Sequence, residues 1–171
     1  MTMETIEYVG SGGVTLIADV RGDPDANPIL FMHGGGQTRH SWGGAADLLA
    51  ERGWQTISID LRGHGDSGWS EEGDYEAEHF AADINAVLAT LGRKAVLVGA
   101  SLGGRTATFV VGNGVPDLCR ALVLVDITPK IETKGVERIL AFMNKHPDGF
   151  ETVEDAADAV AEYRVHRSRP K

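Results

Sequence analysis

A chain of 171 residues can hold one substantial core, and 42% apolar with 24% charged residues is ordinary for a globular protein. A formal charge of −9 argues against nucleic acid as a partner, because phosphate contacts need a basic face. The single cysteine, Cys119, excludes an internal disulfide. The start Met-Thr-Met-Glu-Thr-Ile-Glu lacks the basic end and apolar run of a signal peptide, and no stretch is long enough to span a bilayer, so a cytoplasmic protein free of membranes is expected.

Ile6 to Val9 and Val14 to Val20 are β-prone runs separated by Gly10-Ser11-Gly12-Gly13, which predicts a hairpin. A loop from Arg21 to Pro28 leads into Ile29-Leu30-Phe31-Met32, a continuous apolar run of the kind found in parallel strands buried on both faces. It ends in His33-Gly34-Gly35-Gly36. Ser41 is positioned to cap a helix whose apolar side is Trp42, Ala45, Ala46 and Leu49, closed by Gly53. Thr56-Ile57-Ser58-Ile59 is the next strand and runs into Asp60-Leu61-Arg62-Gly63-His64-Gly65-Asp66-Ser67. Phe80, Ala81, Ile84, Val87, Leu88 and Leu91 follow helical spacing, and Gly92 stops that helix.

Val96-Leu97-Val98 then runs into Gly99-Ala100-Ser101-Leu102-Gly103-Gly104, with a helix-compatible segment at once behind it. Strand, sharp turn and helix around Gly-x-Ser-x-Gly is the context of a nucleophile elbow, which pushes a serine hydroxyl out above the sheet. Ala121 to Val125 is a further apolar strand, ending at Asp126. Beyond Pro129 two helices are expected, over Val136 to Asn144 and Thr152 to Arg164. Thr152 with Asp155 nearly matches a capping box. Strands alternating with helices predict an α/β fold with a largely parallel sheet. Gly63-x-Gly65-x-x-Gly68 matches a dinucleotide fingerprint in letters only. Trp69-Ser70-Glu71-Glu72-Gly73 follows where a helix would have to receive the pyrophosphate, so a structural turn is expected and no cofactor.

Four stretches carry a resemblance: His33 to Gly36 with Trp42 behind it, Asp60 to Ser67, Gly99 to Gly104, and Val125-Asp126-Ile127-Thr128-Pro129. Together they resemble the α/β-hydrolase superfamily, in the branch of epoxide-hydrolase-like, haloperoxidase-like and carbon–carbon-bond hydrolases. The resemblance implies a mostly parallel sheet of about six strands with flanking helices, truncated before the last strands. Residues 1–128 would be the N-terminal part of the core and 129–171 the start of a helical cap. It further implies Ser101 as nucleophile and the backbone N–H groups of Leu102 and Gly35 as oxyanion hole, with Gly34 or Gly36 as alternatives to Gly35. His33, Gly34, Gly36, Trp42 and Asp126 would lie at the substrate pocket. No metal is implied, and the partner would be a small molecule with an ester-like or related carbonyl. Epoxide hydrolases and dehalogenases of this fold use Asp at the elbow, so Ser101 speaks against their chemistry.

The family order along the chain is Ser, acid, His. His146 and His166 follow Ser101 but sit in the cap-like tail, so the expectation is that acid and histidine are missing from this chain. It would then be the N-terminal part of a longer hydrolase or a truncated product. The alternative is a catalytically impaired ligand-binding or interaction protein, which would self-associate through the apolar edge at Ala121 to Val125 if the short form is the whole product. Acyl transfer or perhydrolysis on the same triad fits the sequence equally.

Overall fold

The computed structural model describes residues 2–113, 116–128 and 133–170. β1 (Met3–Val9) and β2 (Thr15–Arg21) form the expected antiparallel hairpin around a short 3₁₀ turn at Ser11–Gly13, with Val9 opposite Thr15. β3 (Pro28–Met32), β4 (Gln55–Ile59), β5 (Ala95–Ala100) and β6 (Cys119–Val125) complete a six-stranded sheet of order β1-β2-β4-β3-β5-β6. β3 runs parallel to both β4 and β5, β5 runs parallel to β6, and β2 joins β4 antiparallel.

Every residue of β3 and β4 is buried, and the reason is the pleat. Leu30 and Met32 face one core with Ile57, Ile59 and Leu97, covered by α2 (Ala77–Leu91) and α3 (Leu102–Asn113). Ile29 and Phe31 face the other way, onto Ala46 of α1 (Gly43–Ala50) and Val98. Apolar residues on both faces give the unbroken run seen in the sequence. Each fully buried Leu or Ile contributes about 1.5–3 kcal/mol by leaving water. Gly92 ends α2 in the left-handed conformation, as its position after Leu91 predicts.

Two details depart from the sequence pattern. Ser41 does not cap the first helix. It lies in a 3₁₀ turn, Arg39–Trp42, where its hydroxyl donates to the Thr38 carbonyl at 2.7 Å, and α1 begins only at Gly43. β6 has the composition of an interior strand yet stands at the sheet edge, leaving Val123 44% and Val125 39% exposed.

The chain divides into two compact units, Met1–Pro129 and Lys130–Lys171. Pro129, where the second region was expected to begin, lies outside the described residues. The second unit holds α4 (Thr133–Met143) and α5 (Val153–Tyr163), whose rings Phe142 and Tyr163 stack at 4.2 Å. Thr152 and Asp155 make the full reciprocal capping box at the start of α5. Among the described residues no helix is long and apolar enough to cross a membrane.

Candidate active site

The turn from β5 into α3 is set by close approach. A Cβ on Gly99 would stand 2.5 Å from the Gly104 nitrogen, and one on Gly103 would stand 2.7 Å from Met32 Cβ and closer still to the Met32 carbonyl. Only glycine lets the helix fold back onto its own strand and onto β3 at these points. Between them Ser101 adopts φ 46°, a left-handed conformation that a residue with a side chain takes at a cost of about 1–2 kcal/mol. Its N–H donates to the Val125 carbonyl at 3.1 Å, and its carbonyl accepts the first helical hydrogen bond from Arg105 N–H at 2.9 Å.

The loop after β3 lies against this turn, since a Cβ on Gly34 would be 3.6 Å from Ser101 Cβ. His33 holds it there and is itself completely buried. Its Nδ1–H donates to the Gly34 carbonyl at 2.8 Å, and its Nε2 accepts from Leu61 N–H at 3.0 Å. Its carbonyl accepts from Gly103 N–H at 3.0 Å. Burial pushes the imidazole pKa below its usual value, so the ring is a neutral strut joining three segments. With both nitrogens engaged it has no lone pair to offer Ser101.

Among the described residues the N–H groups of Gly35 and Leu102 have no acceptor, whereas Gly34 N–H is already given to Gln37 Oε1 at 3.1 Å. Leu102 opens α3, where the first-turn donors are unpaired by geometry. Gly36 is exposed at φ 71°.

Asp126 has φ 53°, and Asp126 and Ser101 are the two non-glycine residues with positive φ among those described. The register pairs Ala100 with Val125, so these two residues leave the sheet side by side. Trp42 is placed differently. It packs on Phe31 with ring centroids 5.1 Å apart, in the core beneath α1.

The loop after β4 is fastened by two buried ionic groups. Arg39, 7% exposed, donates Nε–H to Asp19 Oδ1 at 3.0 Å and Nη1–H to Asp66 Oδ2 at 2.7 Å, and it also pairs with Asp60. Burial disfavours its charge, but the three carboxylates outweigh that and raise its pKa above the ordinary arginine value. Arg62 donates to both oxygens of Asp83, at 2.6 and 2.7 Å, and Asp83 accepts from Ser11 N–H at 2.8 Å. These contacts make the Gly63-to-Gly68 segment a fastened turn. The next helix starts only at Ala77, so no helix N-terminus faces a phosphate there.

Of the other histidines, His64 packs on the His33 ring with centroids 5.0 Å apart. His64 Nδ1 bonds the Arg62 carbonyl at 3.0 Å, and the side chain of His40 is 64% exposed. His79 lies 3.7 Å from Asp74, and His146 packs on Phe150. No hydrogen bond joins a histidine to Ser101 Oγ among the described residues. Arg39, Asp19 and Asp83 were not singled out from the sequence. The available signal was a charged residue inside an apolar strand, Asp19 in β2, which a sheet tolerates only with a partner.

Residues 27–164 match the alpha/beta hydrolase fold family. The 2-(acetamidomethylene)succinate hydrolase of Mesorhizobium japonicum is 37% identical over 85% of this chain and 51% of its own length. An esterase of Mycobacterium tuberculosis is 35% identical over 77% of this chain and 42% of its own. The crystal structure of an E-2-(acetamidomethylene)succinate hydrolase superposes with a TM-score of 0.81 at 32% identity, covering 94% of this chain and 58% of that one. The chain thus spans about half the length of the relatives it matches.

Proposed function

Because this chain belongs to the alpha/beta hydrolase fold family, in its epoxide-hydrolase-like and haloperoxidase-like branch, we propose that it carries the nucleophile and oxyanion hole of a serine hydrolase. Ser101 Oγ attacks an ester-like or related carbonyl carbon as its proton passes to a histidine base, which is not among the residues assigned in this chain. The carbonyl oxygen gains the charge and is held by the N–H groups of Leu102 and Gly35. Asp126 leaves the sheet beside Ser101, one residue past the Ala100–Val125 pair, which supports a place at the substrate pocket. The observation that supports this most is the left-handed Ser101 at the head of α3, with two unpaired N–H groups on the segments flanking it. The esterase and the succinate-derivative hydrolase among its relatives support a small carbonyl substrate. Neither base nor acid is assigned to the histidines of this chain, and a cytoplasmic location is part of the same proposal.

The test is labelling of the folded protein with a fluorophosphonate probe, followed by peptide mass spectrometry. Adduct on Ser101 that disappears in Ser101→Ala supports the reading. A folded protein that has an intact histidine–acid pair and takes no label at Ser101 overturns it.

That outcome would favour the second reading, a binding or interaction protein that keeps the pocket. The edge strand β6 favours it specifically, since Ala121 to Val125 carries no charge to deter pairing with another strand. Self-association should then be visible by light scattering, and a clean monomer at high concentration counts against it.

A further inference from the structure

The helical unit contains an open cleft of about 380 Å³ lined by Arg138, Tyr163, Arg164, Val165, His166 and Arg167. Among the described residues no carboxylate lines it, in a chain whose formal charge is −9. We propose that this cleft binds a small oxyanion ligand, a phosphate monoester or a dicarboxylate, between the guanidinium groups of Arg138 and Arg167.

The nearby acids are engaged elsewhere. Glu162 pairs with Lys145 at 3.1 Å, Asp158 pairs with Arg169, and Asp155 is held in the capping box with Thr152. Among the described residues the guanidinium groups of Arg138, Arg164 and Arg167 have no carboxylate partner. Three like charges therefore share one cleft with no counter-charge from the described residues.

The backbone that carries them is nonetheless set by the fold. Arg138 comes from α4 and lies over the Tyr163 ring at 5.5 Å, and that ring is stacked on Phe142. Arg164 N–H donates to the Val160 carbonyl and Arg167 N–H to the Arg164 carbonyl, both at 2.9 Å, which winds the chain into a turn after α5. Two elements about 30 residues apart in sequence thus converge on one concavity, and planar guanidinium forks donate paired N–H bonds to carboxylate or phosphate oxygens. The volume is that of a small-molecule site, and the acidic balance of the chain disfavours a nucleic acid strand as occupant. The proposal stands apart from the Ser101 chemistry and does not depend on it.

The full chain is titrated calorimetrically with inorganic phosphate and, separately, with succinate, at constant ionic strength in chloride. Saturable one-to-one binding of either anion is expected, and the arm that binds tighter names the ligand class. Arg138→Gln and Arg167→Gln should each weaken it about tenfold or more, the loss of one charge-assisted pair. Lys94→Gln, at a lysine that does not line the cleft and has no carboxylate partner among the described residues, should leave it unchanged. Circular dichroism checks that each variant keeps its helices. Absence of saturable binding by the folded chain, or equal weakening in all three variants, overturns the proposal.

Discussion

Two glycines of α3 should respond to the same substitution with opposite sign. In Gly103→Ala the new methyl would meet Met32 Cβ at 2.7 Å and its carbonyl at still closer range. That obstacle is the backbone of the central strand β3, not the end of a flexible side chain. Overpacking costs about 1–3 kcal/mol, and backbone contact puts this site at about 3. Alanine returns about 1 kcal/mol of helix propensity, leaving a net loss of about 2. In a chain of this size that lowers Tm by roughly 4–8 °C. Gly112, on the same helix, has nothing within 4 Å of an added Cβ. Gly112→Ala keeps only the propensity gain, about 0.5–1 kcal/mol, and Tm should rise by roughly 1–4 °C. Urea midpoints and thermal scans by circular dichroism measure both. If Gly103→Ala is as stable as the parent, α3 does not approach β3 as described and the reasoning on the elbow fails.

The buried pair Arg62–Asp83 should show strong coupling. Arg62→Met leaves a buried carboxylate and should cost about 3–5 kcal/mol, while adding Asp83→Leu should restore most of it; additive urea midpoints would refute this. His33 has its pKa lowered by burial, so the folded state binds its proton less readily than the unfolded chain. Stability is therefore full above the ordinary histidine pKa of about 6.5 and falls as pH drops below it. His33→Gln should lower stability at pH 8 but flatten its decline between about pH 6.5 and 5, and an unchanged slope of midpoint against pH would count against the neutral strut. Ser101→Gly relieves the left-handed strain that Ser101→Ala retains. The glycine variant should match or exceed the alanine variant, and a glycine deficit of about 1 kcal/mol, the usual cost in ordered backbone, would show that the turn is unstrained.

The parts of the molecule legible in the sequence are those whose cause is local. Ile29 to Met32 and Ile57 to Ile59 read as buried strands because burial on both faces removes alternation. The elbow was readable because two close approaches demand glycines at fixed offsets from Ser101. The polar fastening was not, because its partners are remote: Arg39 meets Asp19 and Asp60, 20 and 21 residues away, and Arg62 meets Asp83, 21 away. No periodicity announces a contact at such separations. His33 shows the same limit. The resemblance puts it at the substrate pocket, whereas its ring ties the glycine loop to Leu61 N–H, 28 residues on.

What gathers the site is the direction of the strands. β3, β4, β5 and β6 run parallel, so their C-terminal ends fall on one edge of the sheet. The glycine loop after Met32, Asp60 after Ile59, Ser101 after Ala100 and Asp126 after Val125 all leave from that edge. Residues there take backbone conformations that a strand interior forbids. Ser101 and Asp126 are both left-handed, one residue past a paired position of the register. A strained residue persists only where its surroundings over-determine it. Here the surroundings are identifiable: Gly103 N–H on the His33 carbonyl, Ser101 N–H on the Val125 carbonyl, and the His33 ring between Gly34 and Leu61. The conformation of Ser101 is thus held by segments that follow the strands on either side of β5, together with the glycines around it in the sequence.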